Sequence, residues 1–338
     1  MIRYKYFIIV IVLLLSTATL MGQSKVGTTG ATFLGISAGP RATAMGGAFS
    51  AMSDDAAALY YNPGAMAQSG RSHFIFTHTN WLVNTSFNWV GFILNVGGNN
   101  AIGVSVTQLD YGEEQVTTVT QPEGTGDRWA ARDLALSLSY GRNLTDRFSI
   151  GGSAKYIQQR VWNETASAFA MDVGLLFLTN FNNMRLGMSI TNFGTELRMD
   201  GKDLFQRIDL DPGALGHNET ITAKLKTESW PLPLFFRVGV AMDVINAEPY
   251  KFTVAADALH PTDNSEIVNI GGEFSYSNLL FLRAGYKSLF RQESEEGLTA
   301  GVGIKLYSGG SLFWTLNYTY ADFGLFEDIQ MFDLGVSF

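Results

Sequence analysis

The sequence predicts an all-β protein: a 14-stranded antiparallel transmembrane β-barrel with an N-terminal hatch that contains short helices. Three observations carry this prediction. From residue 72 to residue 338 the chain keeps switching polarity residue by residue, the period of a strand with two unlike faces. The second face is Gly, Ser, Ala and Thr with balanced charges, which suits a crowded lumen better than open water. Tight turns alternate with longer loops, as expected of a wall that crosses a membrane back and forth. Charged residues are 16% of the chain, against roughly 25% in soluble domains.

Residues 1–22 read as a cleavable signal peptide. Arg3 and Lys5 precede an apolar run over 7–15, and a small-residue stretch follows, with cleavage expected after Gly22. The apolar run is too short for a membrane anchor. Of 23 basic residues, losing these two leaves 21 against 31 acidic ones, a net charge of −10. An acidic exported chain does not suit nucleic acid, which needs clustered positive charge.

Residues 23–71 form the expected hatch. The stretch 32–67 is rich in Ala, Gly and Met, does not alternate, and stops at Asn62-Pro63-Gly64. Asp54 and Asp55 are expected at a helix start, with Ser53 or Asp54 as the cap.

Residues 72–338 form the expected wall, with strands at 72–82, 84–97, 100–114, 129–142, 146–161, 165–180, 183–197, 231–246, 248–260, 265–277, 279–290, 296–308, 310–322 and 328–338. In 133–140, for example, Leu134, Leu136, Leu138 and Tyr140 oppose Asp133, Ala135, Ser137 and Ser139. The even-to-odd connections are tight, as at Ser277-Asn278 and Ser308-Gly309-Gly310, where the residues tolerate positive φ. The odd-to-even connections are mostly longer, chiefly 115–128 and 198–230. This pattern places both ends of the chain at the short-turn, periplasmic rim. The 198–230 loop carries exposed-anchor candidates in Phe205, Leu215 and Trp230, beside Trp129, and its 200–211 part is amphipathic enough for a short helix.

Little in the sequence points to reaction chemistry. His73 and His78 fall on opposite faces of one strand, so the histidines offer no metal-ligand spacing. Gly46-Gly47 lacks the Lys and the strand–helix context of a phosphate loop. No cofactor and no enzymatic activity are expected. Lys155, Arg185, Arg237, Lys251, Arg283, Lys287 and Lys305 share the inner face with Asp172, Asp243, Asp257, Glu273 and Asp333. A balanced set of this kind bridges strands or lines a water path.

The 33–67 stretch resembles the N-terminal signature of the PorV/PorQ family of Bacteroidota outer-membrane proteins, which is similar in turn to the long-chain fatty acid transporter FadL. The matching residues are Phe33-Leu34, Arg41-Ala42, Met45-Gly46-Gly47-Ala48-Phe49, Asp54-Asp55-Ala56 and Asn62-Pro63; Gly64 stands where the superfamily commonly has Ala. Phe332, Leu334, Val336 and Phe338 resemble the alternating C-terminal signal read by the barrel-assembly machinery. The resemblance implies a monomeric FadL-like barrel in the bacterial outer membrane, surrounded by lipid. It implies a type IX secretion role, in which the barrel binds the translocon, secreted cargo or attachment-complex proteins. The alternative is a channel for long-chain fatty acids or other small hydrophobic molecules. That channel would be gated by the hatch methionines Met45, Met52 and Met66 and opened sideways by a kink in the third strand.

Overall fold

The computed structural model describes residues 26–97, 99–209, 221–291, 294–326 and 328–338. The expected signal peptide and Leu215 lie outside these residues. Fourteen strands build the wall: β1 (His73–Asn80), β2 (Ser86–Asn95), β3 (Asn100–Gln115), β4 (Arg128–Thr145), β5 (Phe148–Val161), β6 (Glu164–Leu178), β7 (Arg185–Gly194), β8 (Phe235–Ala247), β9 (Tyr250–Pro261), β10 (Ile267–Tyr276), β11 (Leu280–Leu289), β12 (Leu298–Tyr307), β13 (Phe313–Ala321) and β14 (Ile329–Ser337). Each pairs antiparallel with its chain neighbours, and β14 pairs with β1, so the ring has no free edge. The seam is fixed beyond the strand ends, where Ser72 and Phe338 exchange backbone hydrogen bonds of 3.1 and 3.0 Å.

Burial follows the alternation. Leu136 and Leu138 on β4 are 43% and 61% exposed and point outward, while Ser137 and Ser139 between them are buried. Phe332, Leu334 and Phe338 are also exposed. An exposed apolar wall of this kind is stable only in lipid.

Residues 26–72 run inside the ring. The short helices Pro40–Ala44 and Ala58–Tyr61 and the 3₁₀ turns Thr32–Gly35 and Pro63–Ser69 are almost wholly buried. Pro40–Ala44 touches β11 to β14, whereas Pro63–Ser69 touches β3 to β7. A segment that meets opposite arcs of a closed wall lies in its lumen. The segment enters at the long-loop rim, where Thr29 Oγ1 donates to Asp263 Oδ2 at 2.6 Å and Gly30 N to Pro231 O at 2.9 Å. It leaves at the short-turn rim, where Gln68 Nε2 reaches Asp146 O and Arg71 Nη1 reaches Ser311 O. The expectation that both ends share the short-turn rim therefore holds for His73 and Phe338 but not for Val26–Gly30: the inner segment has to cross the lumen before the first strand begins.

The loop between β7 and β8 is strand-like. Leu197–Arg198 pairs with Ser229–Trp230, Asp200–Gly201 joins the end of β6, and Phe205–Ile208 pairs with Ile221–Lys224. The expected helix over 200–211 is reduced, within the described residues, to one 3₁₀ turn at Lys202–Leu204. Phe205 and Ile208 are three residues apart, a helical spacing, but the facing strand Ile221–Lys224 supplies the pairing that makes this stretch a hairpin. The third strand bulges between Asp110 and Glu113 near its outer end, but from Asn100 to Asp110 it pairs with β4 without a break.

Candidate functional site

The inner segment is seated by a buried ion network. Arg41 donates through Nε and Nη2 to the two carboxylate oxygens of Glu273, both at 2.8 Å, and through Nη1 and Nη2 to Asp54 at 3.1 and 3.2 Å. Asp55 lies 3.7 Å from Arg41 Nη1. Glu273 also accepts from Arg283 Nε at 2.6 Å, Arg283 Nη1 donates to Asn317, and Asn317 donates to Asp333. The chain of contacts ties the inner segment to β10, β11, β13 and β14. Asp54 is partly open to solvent; desolvation pushes its carboxyl up, but the adjoining Arg41 guanidinium outweighs this and holds it well below the usual range. The open side of Asp54 faces a pocket of about 60 Å³ that His73 and Lys305 also line.

Of the sequence signature, Arg41, Asp54 and Asp55 form one cluster, whereas Asn62 and Pro63 sit against the opposite arc of the wall. The expected capping role of Ser53 or Asp54 is not what the structure shows. No side chain caps Ala58–Tyr61, Asp54 turns to Arg41 instead, and Asp55 Oδ1 accepts from Ala57 N at 2.8 Å in a local turn. A buried guanidinium attracts a carboxylate more strongly than a helix of one turn can.

Close backbone approach explains the glycines of the signature. Gly46 has φ +67°, and a Cβ there would sit 2.7 Å from both Ile270 O and Tyr286 O. At Gly64 a Cβ would overlap the backbone of Gly174. Asn62 caps the 3₁₀ turn that Pro63 opens, accepting from Gly64 N, and its Nδ2 donates to Ser50 O at 2.7 Å and Leu175 O at 2.9 Å. Asp257 accepts from Phe49 N, Ser50 N and Ser50 Oγ. Met45, Met52 and Met66 are fully buried in this packing.

Above the inner segment, at the long-loop rim, opens a vestibule of about 460 Å³, within the size range of ligand sites. Its floor is Tyr60, Tyr61 and Arg237, and its walls include Trp81, Phe235, Phe323 and Phe326. Trp81 meets Phe323 edge to face at 5.6 Å. Burial pushes the Tyr61 phenol up to about 12 and that of Tyr60 further, so both present neutral rings. The rim acids are engaged: Asp263 with Thr29, Glu295 with Leu325 N at 2.7 Å, and Glu296 with Lys287 at 2.6 Å.

Phe205 and Trp230 are 51% and 48% exposed on the β7–β8 loop and do not line the vestibule. The sequence reading missed the vestibule aromatics, which come from the β1–β2 and β13–β14 connections, the first residue of β8 and the inner segment. It did place Arg237 on the inner face, but as one of a balanced set. Elsewhere that set pairs as expected: Lys155 with Asp172 at 2.7 Å, and Asp243 with Arg185 at 3.1 Å and Lys251 at 3.4 Å. Among the described residues no group of three or more His, Cys, Asp or Glu is placed to hold a metal.

A closed, lipid-facing, antiparallel ring around an ion-paired inner segment defines an outer-membrane β-barrel of the FadL-like type. The model of the type IX secretion system protein PorV family matches residues 20–216, and the chain belongs to that family. Among solved structures, the monoaromatic hydrocarbon channel CymD is similar at TM-score 0.57 and 12% identity, over 88% of this chain and 96% of that one. The Pseudomonas putida toluene transporter TodX follows at TM-score 0.54 and 14% identity, over 89% and 97%. A Pseudomonas aeruginosa FadL homologue aligns at TM-score 0.50 and 12% identity, over 88% and 97%. At these identities the likeness is one of fold. No curated protein matches the chain.

Proposed function

We propose that this outer-membrane barrel is a non-enzymatic partner protein of type IX secretion, a single barrel that holds secreted cargo or attachment-complex proteins at its long-loop rim. The observation that carries the reading is the seat of the inner segment. Arg41, Asn62 and Asp257 fix it to opposite arcs of the wall, and its packed residues separate the 60 Å³ pocket from the 460 Å³ vestibule. A barrel filled in this way offers a binding surface at its mouth. The exposed Phe205 and Trp230 on the β7–β8 loop are rigid aromatic anchors of the kind that dominate protein interfaces.

The channel reading draws on the fold likeness to CymD and TodX. The buried methionines weigh against its gate, whereas the bulge of β3 between Asp110 and Glu113 falls within the 101–114 stretch expected to kink.

The test is a mild-detergent pull-down of tagged protein from its native outer membrane, read by mass spectrometry, with wild type beside a deletion of residues 198–230. Co-purification of secretion-machine components or secreted proteins with wild type, lost in the deletion while the barrel still assembles, is the expected result. Recovery of the barrel alone from wild type, with uptake of labelled fatty acid that depends on the inner segment, overturns the proposal in favour of the channel.

A further inference from the structure

Two of the inward cations, Arg237 and Lys305, make no ion pair among the described residues, and of these Arg237 is the buried one. It is 5% exposed on the inner face of β8. Its Nη1 donates to Thr191 Oγ1 at 2.8 Å, and its Nε has no partner. Asp257, on the adjacent strand, accepts at Oδ2 from Phe49 N and Ser50, while its Oδ1 has no hydrogen-bond partner; it makes no ion pair with Arg237 and acts on the guanidinium only at a distance. The three rim acids are held by Thr29, Leu325 N and Lys287.

A guanidinium cannot shed its charge on burial, so it needs a counter-charge. This one lies at the floor of the vestibule with its carbon 4.8 Å from the centre of the Phe235 ring and 6.0 Å from that of Tyr61. Flanking rings keep the fork in place and offer apolar surface beside it.

We infer that the vestibule floor is a carboxylate-binding subsite, anchored by Arg237, for a terminal carboxylate carried on an apolar or aromatic body. The inference rests on the partner reading and specifies what the mouth of the barrel accepts. A polypeptide C-terminus and a free fatty acid share this chemistry.

The test uses the full-length barrel in lipid nanodiscs, with empty nanodiscs subtracted, and equilibrium dialysis of radiolabelled probes. One pair is N-acetyl-phenylalanyl-leucine and its C-terminal amide; the other is palmitate and hexadecanol. On wild type, the acid of one pair binds about ten-fold more tightly than its neutral counterpart, the scale of a charge-assisted pair. Arg237→Gln removes the preference, and Arg237→Lys keeps part of it because the charge stays while the fork is lost. Arg237→Lys also reports if the Gln variant fails to fold. Preference for the peptide acid assigns a polypeptide C-terminus, and preference for palmitate assigns a fatty acid. Equal binding within both pairs, no binding of either acid, or a preference that survives in Arg237→Gln overturns the subsite. Pull-down of partners by wild type is scored separately, so a barrel that keeps its partners but shows no acid preference refutes the subsite alone.

Discussion

Arg41 and Glu273 are 232 positions apart in the chain and meet through two hydrogen bonds of 2.8 Å in the lumen. The fork-to-fork geometry joins a helix of five residues to the tenth strand of the wall. Arg41→Ala leaves Glu273 with Arg283 alone and takes from Asp54 and Asp55 their ion-pair partner. Removing one partner of a buried pair of this kind costs about 3 kcal/mol. Denaturant unfolding in detergent checks it, and limited proteolysis localises it: the inner segment of Arg41→Ala is cut while the wall stays intact. Arg41→Lys falls between the two, because one ammonium cannot serve both carboxylates in the same geometry.

The same cluster sets an acid limit. Asp54 is held well below its ordinary range, so the folded protein refuses a proton that the unfolded chain accepts near 3.8. For a depressed carboxyl, the stabilisation is complete above the unfolded value and is lost as pH falls further toward the folded one. Thermal melts in detergent should therefore be flat for this group from pH 7 to about 5 and fall below about 4. In Asp54→Asn the melting temperature is lower at pH 7 and the slope below pH 4 is shallower. An unchanged acid slope in that variant would place the sensitivity elsewhere.

Much of the wall was legible because a two-residue period is written into each strand independently. Leu134, Leu136 and Leu138 declare their face without reference to any other part of the chain. All fourteen strands fall within four residues of the expected bounds, and the largest difference, at β8, arises where Pro231 and Pro233 cannot donate to a ladder. The candidate site was legible only in part. Arg41, Asp54 and Asp55 stood out as a pattern, but the carboxylate that completes them, Glu273, is set by which strand faces the short helix. Arg237 was visible as an inward charge, yet its lack of an ion-pair partner depends on the side chains that three-dimensional register brings near it. The helix expected at 200–211 failed for a similar reason, since the facing strand Ile221–Lys224 supplies the hydrogen bonds that choose the hairpin.

Gly46 tests how tightly the inner segment must approach the wall. Its φ of +67° strains any side chain, and a Cβ would lie 2.7 Å from two carbonyl oxygens of β10 and β11. Gly46→Ala should cost about 1–3 kcal/mol, the range of an overpacked core. The loss should appear as easier proteolysis of the inner segment with heat-modifiable migration of the barrel retained. Gly70→Ala is the control, since its φ is +64° but nothing lies near the added carbon; it should show the backbone strain alone.

Asn62 separates a cap from a bridge. As a cap, its Oδ1 accepts from Gly64 N at 3.0 Å; as a bridge, its Nδ2 donates to Ser50 O and to Leu175 O, joining two turns of the inner segment to β6. Asn62→Ala loses both roles and should cost about 2 kcal/mol, from a missing cap and two buried carbonyls left without donors. Asn62→Asp decides between them. Aspartate is as good a cap as asparagine, so a role confined to capping would leave stability near wild type. Here the substitution puts a carboxylate where two carbonyl oxygens expect a donor, in a site with no exposure to water. Asn62→Asp should therefore be at least as destabilised as Asn62→Ala in denaturant unfolding at pH 7, and should recover toward the alanine variant as acid protonates the new carboxyl.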